Sequence, residues 1–182
     1  MTDQSTTETG MTPDAASERV DRGMAALSHE DWATALINFR SVDDALRFAS
    51  EPSTRIQWAR ALGGLGMVQL MDAKALRAEM ADVDEQSARD FRWELKKALA
   101  YFDRALAIQT DATHRTEVEG YKAYALVLLD RKDTAVDLIR RLIAGDGGRA
   151  LERQVADIRR ITIPEDAVVQ GVLHDLWTEA NP

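Results

Sequence analysis

Trp32-Ala33-Thr34-Ala35-Leu36-Ile37-Asn38-Phe39 and Leu95-Lys96-Lys97-Ala98-Leu99-Ala100-Tyr101-Phe102 are the two stretches whose reading decides the fold. Each places an alanine four residues before a phenylalanine, and a small or β-branched residue, Val42 or Ala105, follows three positions later. Residues three and four apart share one face of a helix, so each stretch describes a helix with a narrow waist and an aromatic knob. The alanine lets a neighbouring helix approach closely, and the ring fills the space where the two diverge. A weaker third copy reads Ala135-Val136-Asp137-Leu138-Ile139, then Leu142.

The same periodicity extends outward in both directions. Val20, Gly23, Met24 and Leu27 define a helix from Ala15 that precedes the first copy. Ser28-His29-Glu30-Asp31 has the look of a capping box opening the next helix. Pro52 stops that helix and starts another, whose stripe of Trp58, Ala61, Leu62, Leu65 and Val68 continues to about Ala81. A turn over Ala81–Gln86 and a cap at Ser87 lead into the helix of the second copy, ending near Gln109. Further helices are expected over about Arg115–Asp130, Asp133–Ala144 and Arg149–Arg160. A Thr162/Glu165 capping pair with Pro164 opens the last one, Glu165–Glu179. The expectation is an all-α chain of about eight helices in antiparallel pairs.

Trp58-x2-Ala61-Leu62-x2-Leu65 upstream of the second Ala-x3-Phe element completes a pattern that resembles the tetratricopeptide repeat, W-x2-L-G-x2-Y then A-x3-F. The resemblance spans Val20 to Leu142. It implies a right-handed α-solenoid of stacked helix pairs, and it departs from the family in two ways. The Ala35–Ala98 interval far exceeds one repeat of about 34 residues, with the surplus near Asp72–Ser87, and no copy ends in the family's loop proline. An ordinary antiparallel bundle shares the same hydrophobic period and is the competing architecture. The domain plan is therefore a disordered polar tail over 1–14 and one helical-repeat domain over 15–182. Within it, 53–110 is an elongated second pair and 149–180 supplies capping helices.

Composition narrows the function classes. The 182 residues are 45% hydrophobic and 30% charged, enough to bury a core. A net charge of -8 argues against nucleic acid and against anionic lipid as partners. With no cysteine there is no disulfide, thiolate metal site or thiol nucleophile. Residues 1–14 carry neither the basic nor the apolar run of a secretory signal, and no apolar run reaches the roughly 18 residues of a membrane span. A cytoplasmic location without membrane attachment is expected.

Catalytic and ligand-binding patterns fail one by one. His29-Glu30 opens like a zinc protease motif, but Ala33 stands where the second histidine belongs; His114 and His174 have no second ligand at metal spacing. Gly63-Gly64-Leu65-Gly66 is no dinucleotide fingerprint, because Gln69 replaces the third glycine; tight helix packing, shared with Gly23, explains it better. Gly145-Asp146-Gly147-Gly148 lacks the Lys-Ser/Thr of a phosphate loop and serves as a helix stop. Asp43-Asp44, Glu30-Asp31 and Asp82-Asp84-Glu85 are expected to be solvated carboxylates near helix ends. Arginines between Arg131 and Arg160 alternate with acids, as on a salt-bridged surface. The expectation is no enzyme, no metal and no cofactor.

Tetratricopeptide proteins hold peptides or helices of partners on the concave face lined by the first helix of each pair, so the resemblance implies a non-catalytic adaptor or scaffold for a protein or peptide. The positions that would line such a face are Met24, Leu27, Arg60, Gly63, Met67 and Tyr124. A carboxylate clamp is not expected, since Val20, Met24, Glu117 and Tyr121 occupy comparable places. The alternative is a structural homodimer: Met71, Leu76, Met80 and Val83 on the elongated pair would be poorly buried in a monomer and would pack against a second copy.

Overall fold

A computed structural model of the chain describes residues 11–80, 84–108, 111–145 and 148–180. Among these the secondary structure is helical throughout: α1 (Pro13–Ser28), α2 (Trp32–Leu46), α3 (Pro52–Glu79), α4 (Glu85–Leu106), α5 (Ala112–Leu128), α6 (Lys132–Ala144), α7 (Gly148–Ile158) and α8 (Asp166–Ala180). The chain is all-α, as its periodicity requires. Among the described residues no helix is long and apolar enough to cross a membrane.

Local chemistry sets the helix starts, in places differently from expectation. Of the polar tail expected over 1–14, residues 1–10 lie outside the described residues, and α1 already begins at Pro13, with Thr12 Oγ1 accepting from the Ala15 amide at 3.3 Å. Proline at the first helical position costs nothing there, because its missing N–H would have had no partner. Ser28 is not the cap of α2. Asp31 is, accepting from the Thr34 amide at 3.0 Å, while the Ser28 hydroxyl donates back to the Ala25 carbonyl at 2.7 Å. Asp84 likewise displaces Ser87 as the cap of α4, accepting from the Ser87 amide at 2.7 Å. In each case a carboxylate three residues before an orphan amide is the stronger acceptor and also faces the positive end of the helix. Thr162 does not open α8; its hydroxyl turns to the Arg159 carbonyl, and Asp166 accepts the Ile163 amide at 3.1 Å.

Each helix packs against the next through α1–α6, and α1, α3, α5 and α7 also touch in succession, forming one row. The α1/α2 and α5/α6 turns share their closing bonds. Asp31 N donates to Ala26 O at 2.9 Å and Arg131 N to Leu126 O at 2.9 Å, closing the same reverse turn. At the centre of each turn stands a non-glycine residue with positive φ, Glu30 at 61° and Asp130 at 59°.

The Ala-x3-Phe elements perform the packing expected of them. Ala35, Ala98 and Ala135 are fully buried, as are Phe39 and Phe102. The Phe39 ring lies over two glycines: a Cβ at Gly23 would sit 2.5 Å from it, and one at Gly64 2.4 Å. A Cβ at Gly66 would meet Phe102 at 2.4 Å. The glycine cluster of α3 is thus a set of sockets for rings from α2 and α4. This is where the glycine cost inside a helix, about 1 kcal/mol each, is offset.

The last pair departs from this pattern. α7 packs on α5, and α8 on α6 and α5, but α7 and α8 barely meet. A depression of about 320 Å³ separates them, lined by Leu151, Val155, Leu173 and Trp177.

Candidate interaction groove

Three helices of the odd-numbered row converge on one groove. α3 contributes Arg60, Gly63, Gly64 and Met67, and α5 contributes His114, Glu117, Val118 and Tyr121, each set at the i, i+3, i+7 spacing of a single helical stripe. α1 completes the wall with Met24 and Leu27. The groove has two connected hollows of about 80 Å³ and 130 Å³ that share Met24, Leu27, Met67 and Tyr121. The second runs on to Ser28, Trp32 and Arg160.

Five of the six residues expected on a partner-binding face therefore do line one surface: Met24, Leu27, Arg60, Gly63 and Met67. Met24 is 44% exposed, whereas Met67 is 8% exposed and forms the floor. Tyr124 is the correction. It is 2% exposed and sits behind the groove, because three residues beyond Tyr121 the helix has turned that position into the core. Tyr121 holds the place assigned to it, stacked on Phe102 with ring centroids 6.2 Å apart.

Polar groups fix the rim. Arg60 donates to Asp21 at 2.8 Å and to Gln57 at 2.9 Å, bridging α3 to α1. Arg160, from the segment joining α7 to α8, donates to the Ser28 carbonyl at 3.2 Å and closes the far end. His114 lies against Gly63, where a Cβ would be 3.1 Å from the ring. Its Nε2 is shielded from solvent and has no hydrogen-bond partner. Burial pushes the imidazole below its usual range, against the opposing pull of the Ala59 backbone, Glu117 and Asp111.

The residues offered for self-association are used differently. Met71 is 1% exposed and belongs to the core. Leu76 and Met80 are half-buried, and Val83 lies outside the described residues. The extra length of α3 is spent within the chain: its tip carries Lys74 and Arg77 to the start of α8. Arg77 donates to Glu165 at 2.7 Å. Lys74, fully buried, donates to both oxygens of Asp166 at 2.9 and 3.0 Å, to the Ile158 carbonyl at 2.9 Å and to the Tyr124 hydroxyl at 2.9 Å. The Tyr124 hydroxyl in turn donates to Asp166. Burial drives the ammonium pKa down, opposed by Asp166, and drives the phenol pKa up, reinforced by Asp166. This cluster was not anticipated. Its one trace in the sequence is a lysine on the stripe of Leu70 and Met71, where an apolar residue belongs.

Asp43 is a second correction. Instead of a solvated carboxylate it is 7% exposed and accepts from Trp58 Nε1 and from Arg104, both at 2.8 Å, tying α2, α3 and α4 together. His29 caps the end of α1, and His174 lies beside the α7/α8 depression. Among the described residues no group of three or more potential ligands could hold a metal. A larger depression, about 470 Å³, lies at the C-terminal end between α6 and α8, spanned by the Arg140–Glu179 ion pair.

No family model, curated protein or solved structure matches the chain.

Proposed function

We propose that this protein is a non-catalytic adaptor of tetratricopeptide-like construction, which holds a peptide or amphipathic helix of a partner protein in the α1/α3/α5 groove. The observation that carries the proposal is the convergence of Met24, Leu27, Arg60, Gly63 and Met67 on one surface, where first helices of successive pairs stand side by side. The repeated turn at Glu30 and Asp130 supports a common hairpin unit.

The groove also indicates the occupant. Hollows of about 80 and 130 Å³ are sized for single side chains, not for a cofactor. Two methionines and a leucine adapt to varied apolar shapes at small cost. Arg60 and Glu117 stand on the rim of the first hollow, with Arg60 held by Asp21, and Arg160 stands at the far end of the second, so the rim is polar around an apolar floor. The partner segment is therefore one that inserts a large apolar residue and flanks it with polar ones. Met71 is buried in the core and lends nothing to the alternative of a dimer through the elongated pair, which then rests on Leu76 and Met80.

The test is photo-crosslinking from a diazirine methionine analogue, followed by direct titration of the partner segment so identified as a synthetic peptide. Met24→Glu, on a side chain that is 44% exposed, is expected to weaken binding about tenfold or more. Phe48→Glu, at a position 92% exposed in the α2/α3 turn, is expected to leave it unchanged. Equal affinity of wild type and Met24→Glu for that peptide would remove the groove from the account.

A further inference from the structure

The wall between α3 and α5 contains a histidine in an unusual position. His114 stands in the first turn of α5, its ring lodged in the niche left by the missing side chain of Gly63. A Cβ built at Gly63 would lie 3.1 Å from the ring's Cε1 and from Val118 Cγ2, and 3.5 Å from Nε2. The Ala59 backbone favours the ring's charged form, but Nε2 reaches neither solvent nor a partner. A neutral ring can carry its one proton on Nδ1 and needs none on Nε2. A protonated ring must carry a second N–H, and in this niche nothing accepts it.

The charged groups around the ring do not remedy this. Glu117 and Asp111, both of α5 and its cap, favour the cation through space, and Arg60 of α3 opposes it. Arg60 is itself held by Asp21 of α1, at 2.8 Å. None of these groups supplies an acceptor at Nε2.

We propose that His114 is a proton switch for the α1/α3/α5 groove: neutral, it is seated in the Gly63 niche, and protonated, it swings out of the niche and reshapes the wall that Met67 and Tyr121 share with it. Burial holds the imidazole below the ordinary histidine value of 6.5, so the switch operates on the acid side of that value. This goes beyond docking, because it concerns the free protein.

The experiment is an NMR titration of unliganded protein from about pH 8 to about pH 5, following the His114 ring and the methyl groups of Met24 and Met67. The His114 midpoint is expected below 6.5, and the Met67 methyl is expected to move with the same midpoint. In His114→Phe that movement is lost, although His29 and His174 remain to titrate. Gly63→Ala, which leaves the imidazole in place but fills its niche, is expected to raise the midpoint toward 6.5, and it serves where His114→Phe does not fold. A His114 midpoint at or above 6.5, or a Met67 titration that persists unchanged in His114→Phe, overturns the switch. Either result leaves docking standing, and failure of the peptide titration leaves the switch standing.

Discussion

The two ends of α3 are joined to their neighbours by opposite means. Its first half, from Trp58 to Gly66, is fastened by shape: rings of Phe39 and Phe102 fill glycine sockets at Gly64 and Gly66. Its last two turns are fastened by charge, with Lys74 buried against Asp166 and Tyr124, and Arg77 against Glu165. A glycine socket tolerates no added atom but asks for no partner. A buried ion pair stands only while every member is present, since a lone charge in the interior is far costlier than the pair is beneficial. The first joint fixes how closely the helices approach, and the second fixes where the C-terminal helices attach.

The charge joint should break hardest. Lys74→Met leaves Asp166 buried with only Tyr124 and the Ile163 amide as donors, and Asp166→Leu leaves the ammonium with carbonyl and hydroxyl alone. Each single substitution is expected to destabilise by about 3–5 kcal/mol. The double variant removes both charges together and is expected to recover most of that loss. Urea unfolding of the four proteins closes the cycle. Additive losses would mean that Lys74 and Asp166 do not act as a pair.

The shape joint should yield less. Gly64→Ala places a methyl 2.4 Å from Phe39 Cζ, a ring that is itself fully buried, and is expected to cost about 1–3 kcal/mol by overpacking. The same change at Gly171, mid-helix in α8 with nothing within 4 Å of its Cβ position, is expected to stabilise by somewhat under 1 kcal/mol. Opposite signs from one chemical change, measured by thermal unfolding, isolate the socket from helix propensity. A Gly64→Ala protein as stable as wild type would mean that the ring moves aside freely.

The contrast also explains what the sequence could disclose. Ala35, Phe39, Ala98 and Phe102 announce themselves because helix packing through shape is local and periodic: the residue types and their spacing are the mechanism. The groove was legible for the same reason, in Met24, Leu27, Arg60, Gly63 and Met67, one stripe from each of two helices. Tyr124 was misplaced because α5 is apolar on nearly every side from Ala123 to Leu128, so its stripe has no edges to fix a phase. Lys74 and Asp166 stand 92 residues apart, and no period links them. Asp43 reads as one of two surface acids beside Asp44, and only the arrival of Trp58 and Arg104 from other helices makes it an anchor. His114 falls between these cases. It belongs to the α5 stripe by spacing, yet its niche depends on a glycine in another helix.

Within the charge joint, the phenol offers the mildest probe. Burial first, and Asp166 second, hold the Tyr124 proton on, so its folded pKa lies above the unfolded value of 10. Between those two values the native state binds the proton more tightly than the unfolded chain, and stability falls as pH rises. The contribution is fully present below pH 10 and is lost above it, at about 1 kcal/mol over the first unit. Lys74 has the opposite sign: its depressed pKa makes stability rise with pH in the range just below its ordinary value of 10.5. Tyr124→Phe keeps Lys74 and removes only the phenol, so the difference between the two proteins isolates Tyr124. Below pH 10 the variant is expected to be less stable by about 1 kcal/mol, for the hydrogen bonds it lacks. Above it the gap should narrow and then reverse. A gap that stays constant through that range would show that the hydroxyl titrates as freely in the native chain as in the unfolded one, and that the joint is no tighter there than solvent.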